Sequence, residues 1–363
     1  MHVSEIDTPA LVVDLDILDR NLSRVASYAA EHGLRLRPHT KTHKSIRLAR
    51  RQLELGAGGL TVAKVSEAEV MLGAAPPNLL VAFPIVGPSK LVRLMEVARR
   101  TAVTVALDSL TAAAPLDAAA GEAGVRVGVL AEVDVGLGRV GVSPDELLDL
   151  ARAICALKHV TFEGIAFYPG HVGGWDAANQ AAFAAVAELL TQILSEFRRA
   201  GIEVRTVSGG STPTLFHSHE MAGITEIRPG TYVFNDVNTV TGGACSWEAC
   251  AATVLATVVS TARPGQMIVD GGSKTFSSDR LANPGDATFG RVTDAPGARF
   301  HKMNEEHGFV DTTQAGREFR VGDRVRIVPN HVCVAVNLHE RVYGLRGDAV
   351  EEVWNVDARG KLT

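Results

Sequence analysis

A chain of 363 residues, 46% hydrophobic and 21% charged, is too long for one ordinary core. It suits a barrel of roughly 250 residues with a smaller companion domain. The formal net charge of -5 excludes a dominant basic face, so neither nucleic acid nor an anionic membrane surface is an expected partner. The N-terminal Met1-His2-Val3-Ser4-Glu5 has no basic stretch leading into an apolar run, and apolar runs stay far short of the ~20 residues of a membrane span. Cys155, Cys245, Cys250 and Cys333 form no CxxC pair, which points to a soluble protein of the reducing cytoplasm.

A strand at 10–14 precedes the first helical stretch. From there short apolar runs alternate with amphipathic segments, the signature of β-α units. Strands are predicted at 34–38, 59–63, 78–83, 103–108, 125–133, 162–168, 203–208 and 226–228. Ser143-Pro144-Asp145-Glu146 is a capping box with proline at the first helical position, followed by Leu147, Leu148 and Leu150. A helix ending at Gly201 carries Phe183, Val186, Leu190, Ile193, Leu194 and Phe197 on one stripe. Eight strand-helix repeats within about 200 residues predict an α/β fold, a (β/α)8 TIM-type barrel over 15–232. Beyond it, strands at 253–260, 267–270, 324–327 and 333–338 follow one another without predicted helices, separated by turns such as Arg263-Pro264-Gly265. Residues 233–363, joined by the strand in 1–14, therefore read as a second, mostly antiparallel β domain.

Catalytic groups of a barrel collect at the C-terminal ends of its strands. The first strand ends in Arg37-Pro38-His39-Thr40-Lys41-Thr42-His43-Lys44. Crowding cations disfavour the ammonium form, so Lys41 is a candidate amine nucleophile for a carbonyl; the alternative is a solvated basic loop. The fifth strand ends in Glu132-Val133-Asp134-Val135-Gly136-Leu137-Gly138-Arg139, the sixth in Tyr168-Pro169-Gly170-His171. The seventh and eighth end in Ser208-Gly209-Gly210-Ser211-Thr212 and Arg228-Pro229-Gly230-Thr231-Tyr232, glycine- and hydroxyl-rich loops where backbone N–H groups converge on an anion. A phosphate site on one side of the mouth and a lysine on the other fit pyridoxal phosphate. Gly136-Leu137-Gly138-Arg139-Val140-Gly141 matches GxGxxG, but at the fifth strand of a series and with an arginine in the turn it does not read as a dinucleotide site.

Together these strand ends resemble the fold-type III, alanine racemase-like pyridoxal phosphate enzymes. Within that group the chain resembles the D-threonine aldolase and D-serine dehydratase family, through the octapeptide 37–44, Arg139 in its glycine loop, Tyr168, Gly210-Ser211-Thr212-Pro213-Thr214 and Arg228-Pro229-Gly230-Thr231-Tyr232. The resemblance implies that Lys41 holds the cofactor as a Schiff base, that Arg139 faces its phenolic oxygen and that Tyr168 lies near its pyridine nitrogen. Gly210, Ser211, Gly230, Thr231 and Tyr232 would hold the phosphate. It also implies a homodimer.

Asn330-His331-Val332-Cys333 is predicted to open a strand, which would turn His331 and Cys333 to one side, where imidazole and thiolate suit zinc. The alternative is a structural cysteine. The family places a metal-binding His-x-Cys or His-x-Asp pair here, so the resemblance implies a divalent metal: zinc, or manganese or magnesium. Asp in the second position resembles the aldolases and Cys the dehydratases. The implied activity is retro-aldol cleavage of a D-β-hydroxy-α-amino acid to glycine and an aldehyde, with His171 as candidate base. D-serine or D-3-hydroxyaspartate dehydration is its near rival. A racemase would need a second base, for which Tyr343 is the candidate. His217 and His219 are a minor metal option on an expected short helix or loop. His301 and His307 read as a surface loop, and Asp279 and Arg280 as residues lining the mouth.

Overall fold

The computed structural model describes residues 1–279, 281 and 288–363; Arg280 lies outside the described residues. Two compact units divide the chain. One comprises Ser23–Lys41, Ile46–Gly230 and Gly360–Thr363, the other Met1–Leu22, Thr42–Ser45 and Thr231–Arg359.

β1 (Ala10–Asp14) belongs to the second unit, and α1 (Leu15–Glu31) follows it in the chain. The first unit then builds eight strands: β2 (Arg35–Leu36), β3 (Leu60–Val62), β4 (Asn78–Val81), β5 (Ala102–Leu107), β6 (Val127–Val133), β7 (Val160–Phe167), β8 (Thr206–Gly209) and β9 (Glu226–Ile227). They pair in parallel in the order β2-β9-β8-β7-β6-β5-β4-β3. The circuit closes where His39 bridges Thr61, with Thr40 N–H donating to Thr61 O and Thr61 N–H to Pro38 O, both at 2.9 Å. Between strands run α2 (Ile46–Glu54), α3 (Val65–Met71), α4 (Pro88–Ala98), α5 (Leu110–Ala123), α6 (Pro144–Cys155) and α7 (Ala177–Arg199). This is the predicted (β/α)8 barrel.

Its helices start and pack for the reasons the sequence suggests. At α6, Glu146 Oε2 accepts from Ser143 Oγ at 2.6 Å and from Ser143 N–H at 3.3 Å, so the N3 carboxylate covers the N-cap amide as in a capping box. In α7, Phe183, Val186, Leu190, Ile193 and Phe197 are buried. Inside the barrel, Leu80, Ala106, Leu130 and Ala166, one from each of β4 to β7, form one cluster with Ala82 against it. Leucine and alanine alternate around that layer, as small and large residues do in a packed barrel core.

The second unit holds β10 (Ala252–Ser260), β11 (Gln266–Val269), β12 (Gly290–Val292), β13 (Arg299–Met303), β14 (Gly308–Asp311), β15 (Arg324–Pro329), β16 (Arg341–Arg346) and β17 (Ala349–Asn355). The order β11-β14-β13-β12-β15-β10 closes on itself through β11–β10 pairing, and β1, β16 and β17 extend from β10. Closure removes the edges that would template aggregation. β1 pairs antiparallel with β10 (Ala10 opposite Leu255) and parallel with β16 (Leu11 opposite Val342). Alternate residues Val254, Ala256 and Val258 of β10 join Met267, Val269 and Phe300 in the ring's core.

Two predictions fail here. Helices α8 (Val237–Thr241), α9 (Ser273–Phe276) and α10 (Val332–Leu338) interrupt the unit, so 333–338 is helix, not strand. The valine-rich run suggested a strand, but the buried residues are Val332, Ala335 and Val336, spaced i, i+3, i+4 as one helical face. His301 lies within β13, and Asn304 N–H donates to His307 O at 2.9 Å in the turn to β14. The stretch is therefore a hairpin rather than a loop. Among the described residues no helix is long and apolar enough to cross a membrane.

Candidate active site

Of residues 37–45, which continue from β2, Lys41 alone is exposed. The backbone around it is pinned: His39 N–H donates to Pro229 O at 3.0 Å, and Lys41 N–H reaches His39 Nδ1 at 3.4 Å. Lys44, whose φ is 50°, aims its Nζ at Ala358 O 3.3 Å away. His43 Nδ1 accepts from Ser45 N–H at 3.0 Å. Two of the basic neighbours thus engage backbone groups, and Lys41 is the one that presents its chain to solvent.

The loop after β6 is organised by Asp134. Its Oδ1 accepts from the N–H groups of Gly136 (3.0 Å), Leu137 (2.9 Å) and Gly138 (3.1 Å), and Oδ2 accepts from Gly138 at 3.0 Å. Burial pushes this carboxyl up, but the Gly138, Gly136 and Leu137 donors with His171 nearby outweigh it and hold it below the usual range. Gly136 and Gly138 adopt φ of 120° and 70°, conformations that favour glycine. This curl presents Arg139, whose guanidinium lies 4.9 Å from the centroid of the Tyr168 ring, a cation–π arrangement. A Cβ on Gly136 would meet His171 Cε1 at 3.2 Å, so the imidazole packs on the same loop. Arg139, Tyr168 and His171 are thereby brought together. Asp134 was not singled out from sequence, although an Asx-type turn into Gly-x-Gly is a legible signal.

A second feature missed from sequence lies below. Glu132, at 5% exposure, and Arg228, at 8%, are buried charged groups. Burial pushes the Glu132 carboxyl up, opposed by Arg228 and then Arg139. Arg228 Nη2 donates to Phe167 O at 2.7 Å. Arg37 Nε pairs with Glu226 Oε2 at 3.0 Å, and Ser208 Oγ donates to Glu226 Oε1 at 2.6 Å. The barrel interior therefore holds charged, hydrogen-bonded groups as well as the apolar layer of Leu80, Ala106, Leu130 and Ala166.

The β8 and β9 exits give the anion loops. Gly209, Gly210, Ser211, Gly230 and Tyr232 are all buried, and Thr231 is half-buried. Gly210 has φ of 82°, and a Cβ on Gly209 would lie 2.1 Å from Phe167 Cζ, so the backbone turn and the Phe167 ring both call for glycine here. Ser211 Oγ lies 3.1 Å from Thr214 Oγ1. Thr212 Oγ1 is buried without a hydrogen-bond partner, an oddity that a bound oxyanion would resolve. With an exposed lysine, an aromatic–guanidinium pair and this loop, the residues present fit pyridoxal phosphate.

In the second unit His331 is the N-cap of α10 and Cys333 lies in its first turn. The imidazole hydrogen bonds the Cys333 thiol, and that bond leads the causes that raise its pKa to about 9, against burial, with Asp236 and Asp279 adding to the rise. His331 Nδ1 sits 2.9 Å from Asp279 Oδ2, the carboxylate–imidazole relation that orients a ligand histidine. Val332 N–H donates to Asp236 Oδ2 at 3.0 Å, anchoring the helix start. Cys333 Sγ lies 3.1 Å from Thr42 Oγ1 and 3.7 Å from Thr231 Oγ1. Thr42 follows Lys41 in the chain, and Thr231 follows Gly230. Helix rather than strand thus joins the pair. Among the described residues no group of three or more His, Cys, Asp or Glu is arranged to hold a metal. Imidazole and thiol, with water or substrate completing the shell, nonetheless fit zinc chemistry.

The other singled-out residues have local partners of their own. Tyr343 of β16 packs with Val3 and Val350 on an apolar cluster. His217 and His219 occupy a 3-10 turn, Leu215–Glu220, and face different partners. His217 Nδ1 meets Glu220 Oε1 at 2.7 Å with its ring stacked on Trp175, whereas His219 Nδ1 meets Tyr28 OH at 2.9 Å.

Comparison with known proteins identifies the family and the fold. Residues 13–237 match the family model "Alanine racemase, N-terminal domain", and residues 251–345 match "Putative serine dehydratase domain". The chain is 35% identical to D-threonine aldolase of Arthrobacter sp. over 99% of this chain and 94% of that protein. Against D-threo-3-hydroxyaspartate dehydratase of Delftia sp. it is 33% identical over 96% of this chain and 97% of the relative. The crystal structure of D-threonine aldolase from Filomicrobium marinum superposes with a TM-score of 0.92 at 33% identity, covering 99% of this chain and 98% of that one. By sequence and by fold, the chain belongs to the D-threonine aldolase and D-serine dehydratase family, pyridoxal phosphate-dependent lyases built on the alanine racemase-like fold.

Proposed function

We propose that the protein is a metal-assisted lyase of D-β-hydroxy-α-amino acids that cleaves the Cα–Cβ bond to give glycine and an aldehyde, as a D-threonine aldolase does. The observation that carries this reading is Thr42. It follows Lys41 in the chain, and its hydroxyl lies 3.1 Å from the sulfur of Cys333, the thiol bonded to His331.

Lys41 would hold the cofactor through Nζ, Arg139 would face its phenolic oxygen and Tyr168 would lie near its pyridine nitrogen. Gly210, Ser211, Gly230, Thr231 and Tyr232 would receive its phosphate, with the unpartnered Thr212 hydroxyl as a further donor. His331 and Cys333 would hold a divalent ion, zinc or else manganese or magnesium. When bound, the cofactor supplies an electron sink and the ion a Lewis acid. The protein's own task is then to place the substrate hydroxyl and to move its proton. His171, packed on the Asp134 loop and exposed, would take that proton on an imidazole nitrogen. Arg139 and Tyr168 would keep the cofactor plane fixed while this happens.

Dehydration of D-serine or D-3-hydroxyaspartate is the second reading, and Cys333 favours it, because cysteine at this position resembles the dehydratases. Solved forms of D-threo-3-hydroxyaspartate dehydratase include one with a histidine replaced by alanine and a metal-free one with a cysteine two positions further replaced by alanine. Incubation with D-threonine and D-serine, with and without zinc or manganese, tests the proposal. Glycine and acetaldehyde, lost on chelation and restored by metal, are the expected result; pyruvate and ammonia from D-serine alone would give the dehydratase instead. Cytoplasmic residence and a homodimer complete the proposal, the latter readable by light scattering of the eluting protein.

A further inference from the structure

Cys245 and Cys250 lie outside the site described above, and their thiols lie within hydrogen-bonding reach of each other. Each also caps the same short element. Cys245 Sγ donates to Thr239 Oγ1 at 3.6 Å, and Cys250 Sγ donates to Asp236 O at 4.0 Å. Asp236 is the N-cap of α8, its Oδ1 accepting from Thr239 N–H at 2.9 Å. Its other oxygen, Oδ2, accepts the Val332 N–H at 3.0 Å. One carboxylate therefore ties the thiol pair's element to the first turn of α10. The segment joining the two cysteines is a 3-10 turn, Trp247–Ala249, with Cys250 N–H donating to Trp247 O at 3.0 Å. Cys250 is buried and Cys245 half-buried, so the more exposed thiol of the two neighbours is Cys245.

We propose that Cys245 and Cys250 form a reversible dithiol–disulfide pair, oxidised by peroxide, whose closure loosens the Asp236–Val332 clamp at the head of α10. The Cys245 sulfur attacks one peroxide oxygen; the S–O bond forms, the O–O bond breaks, and the released hydroxide takes a proton to leave as water. The Cys250 sulfur then attacks the Cys245 sulfur; the S–S bond forms, the S–O bond breaks, and hydroxide departs with the Cys250 proton as a second water. Two thiols lose one electron each, and the peroxide gains two. Closure removes both S–H donors from Thr239 and Asp236 and draws the chain at 245–250 together. Cys250 meets the Asp236 main-chain carbonyl, so the shift of that backbone carries the Asp236 carboxylate off the Val332 amide, which loses its acceptor. His331 and Cys333 flank that amide, so the pair's geometry follows it.

The test uses the whole chain, treated with hydrogen peroxide and then alkylated. The peptide carrying both cysteines is expected to lose two hydrogens and resist alkylation until a phosphine reductant is added, while Cys155 and Cys333 alkylate on their separate peptides. Amide exchange at Val332 is expected to quicken about tenfold in the oxidised form, the effect of losing one charge-assisted hydrogen bond. C245S removes both changes; C245A gives the same reading should the serine disturb the fold. Full alkylation of both cysteines after peroxide overturns the proposal. So does a disulfide that leaves Val332 exchange unchanged, or a quickening that persists in the variants. None of these readouts needs cofactor, metal or turnover, so they stand or fall apart from the lyase assignment.

Discussion

Asp134 shows how much of a site one side chain can set. Its carboxylate gathers three successive backbone donors and so fixes the curl that presents Arg139 to Tyr168. Asp134→Ala is expected to weaken cofactor binding by about tenfold, read by titrating apo-protein, because the guanidinium loses its fixed approach; unchanged affinity would show that the loop holds itself. Its depressed pKa carries a sign. The group stabilises the fold above its unfolded value of about 3.9 and loses that contribution as pH falls toward the lower folded value. His339 behaves differently. Burial, helped by Arg359 and opposed by the Thr275 carbonyl, lowers its pKa from 6.5 to about 4, with Nε2 3.2 Å from Thr275 O. The unfolded chain therefore takes up this proton first. The group costs the fold nothing above about pH 6.5, and stability declines as pH falls from there toward 4, by on the order of 3 kcal/mol. Urea unfolding at pH 7.5 and 5 should show that decline in the parent and a shallower one in His339→Gln; equal declines would place the proton elsewhere.

At the scale of elements, β7 depends on a glycine. Gly164 has φ of 145°, at the register shift against β6, and a Cβ there would fall 2.0 Å from Thr206 O of the next strand. Backbone cannot yield as a side-chain end can. Gly164→Ala is expected to destabilise by roughly 3 kcal/mol or more, read as a lowered denaturant midpoint; a neutral result would mean β7 and β8 can part without cost. The contrast with α10 is instructive. Its valines favour strands by propensity, yet burial of Val332, Ala335 and Val336 and the Asp236 anchor on Val332 select helix. Propensity is a weak prior where tertiary contacts choose the face.

For the whole molecule, what was legible followed from repetition. Alternating apolar runs and capped helices such as Ser143–Glu146 announced the barrel, because period and caps are local properties. The glycine loops after β8 and β9 and the octapeptide around Lys41 were legible for the same reason. The β unit was half legible: β1 was expected to join it, but α8, α9 and α10 were not foreseen, because each is short and set by distant partners. Asp134, Thr42 and the Glu132–Arg228 pair became visible only once folding brought them to their neighbours. Sequence separation hides such contacts, whereas a cap or a glycine turn lies within a few residues.

The central claim is covalent attachment at Lys41. Cofactor-loaded protein should be reduced with borohydride, digested and sequenced by mass spectrometry. The account predicts a pyridoxyl-phosphate mass on Lys41 and its loss in Lys41→Ala; a label on Lys44 or another lysine, or none on any, would contradict it.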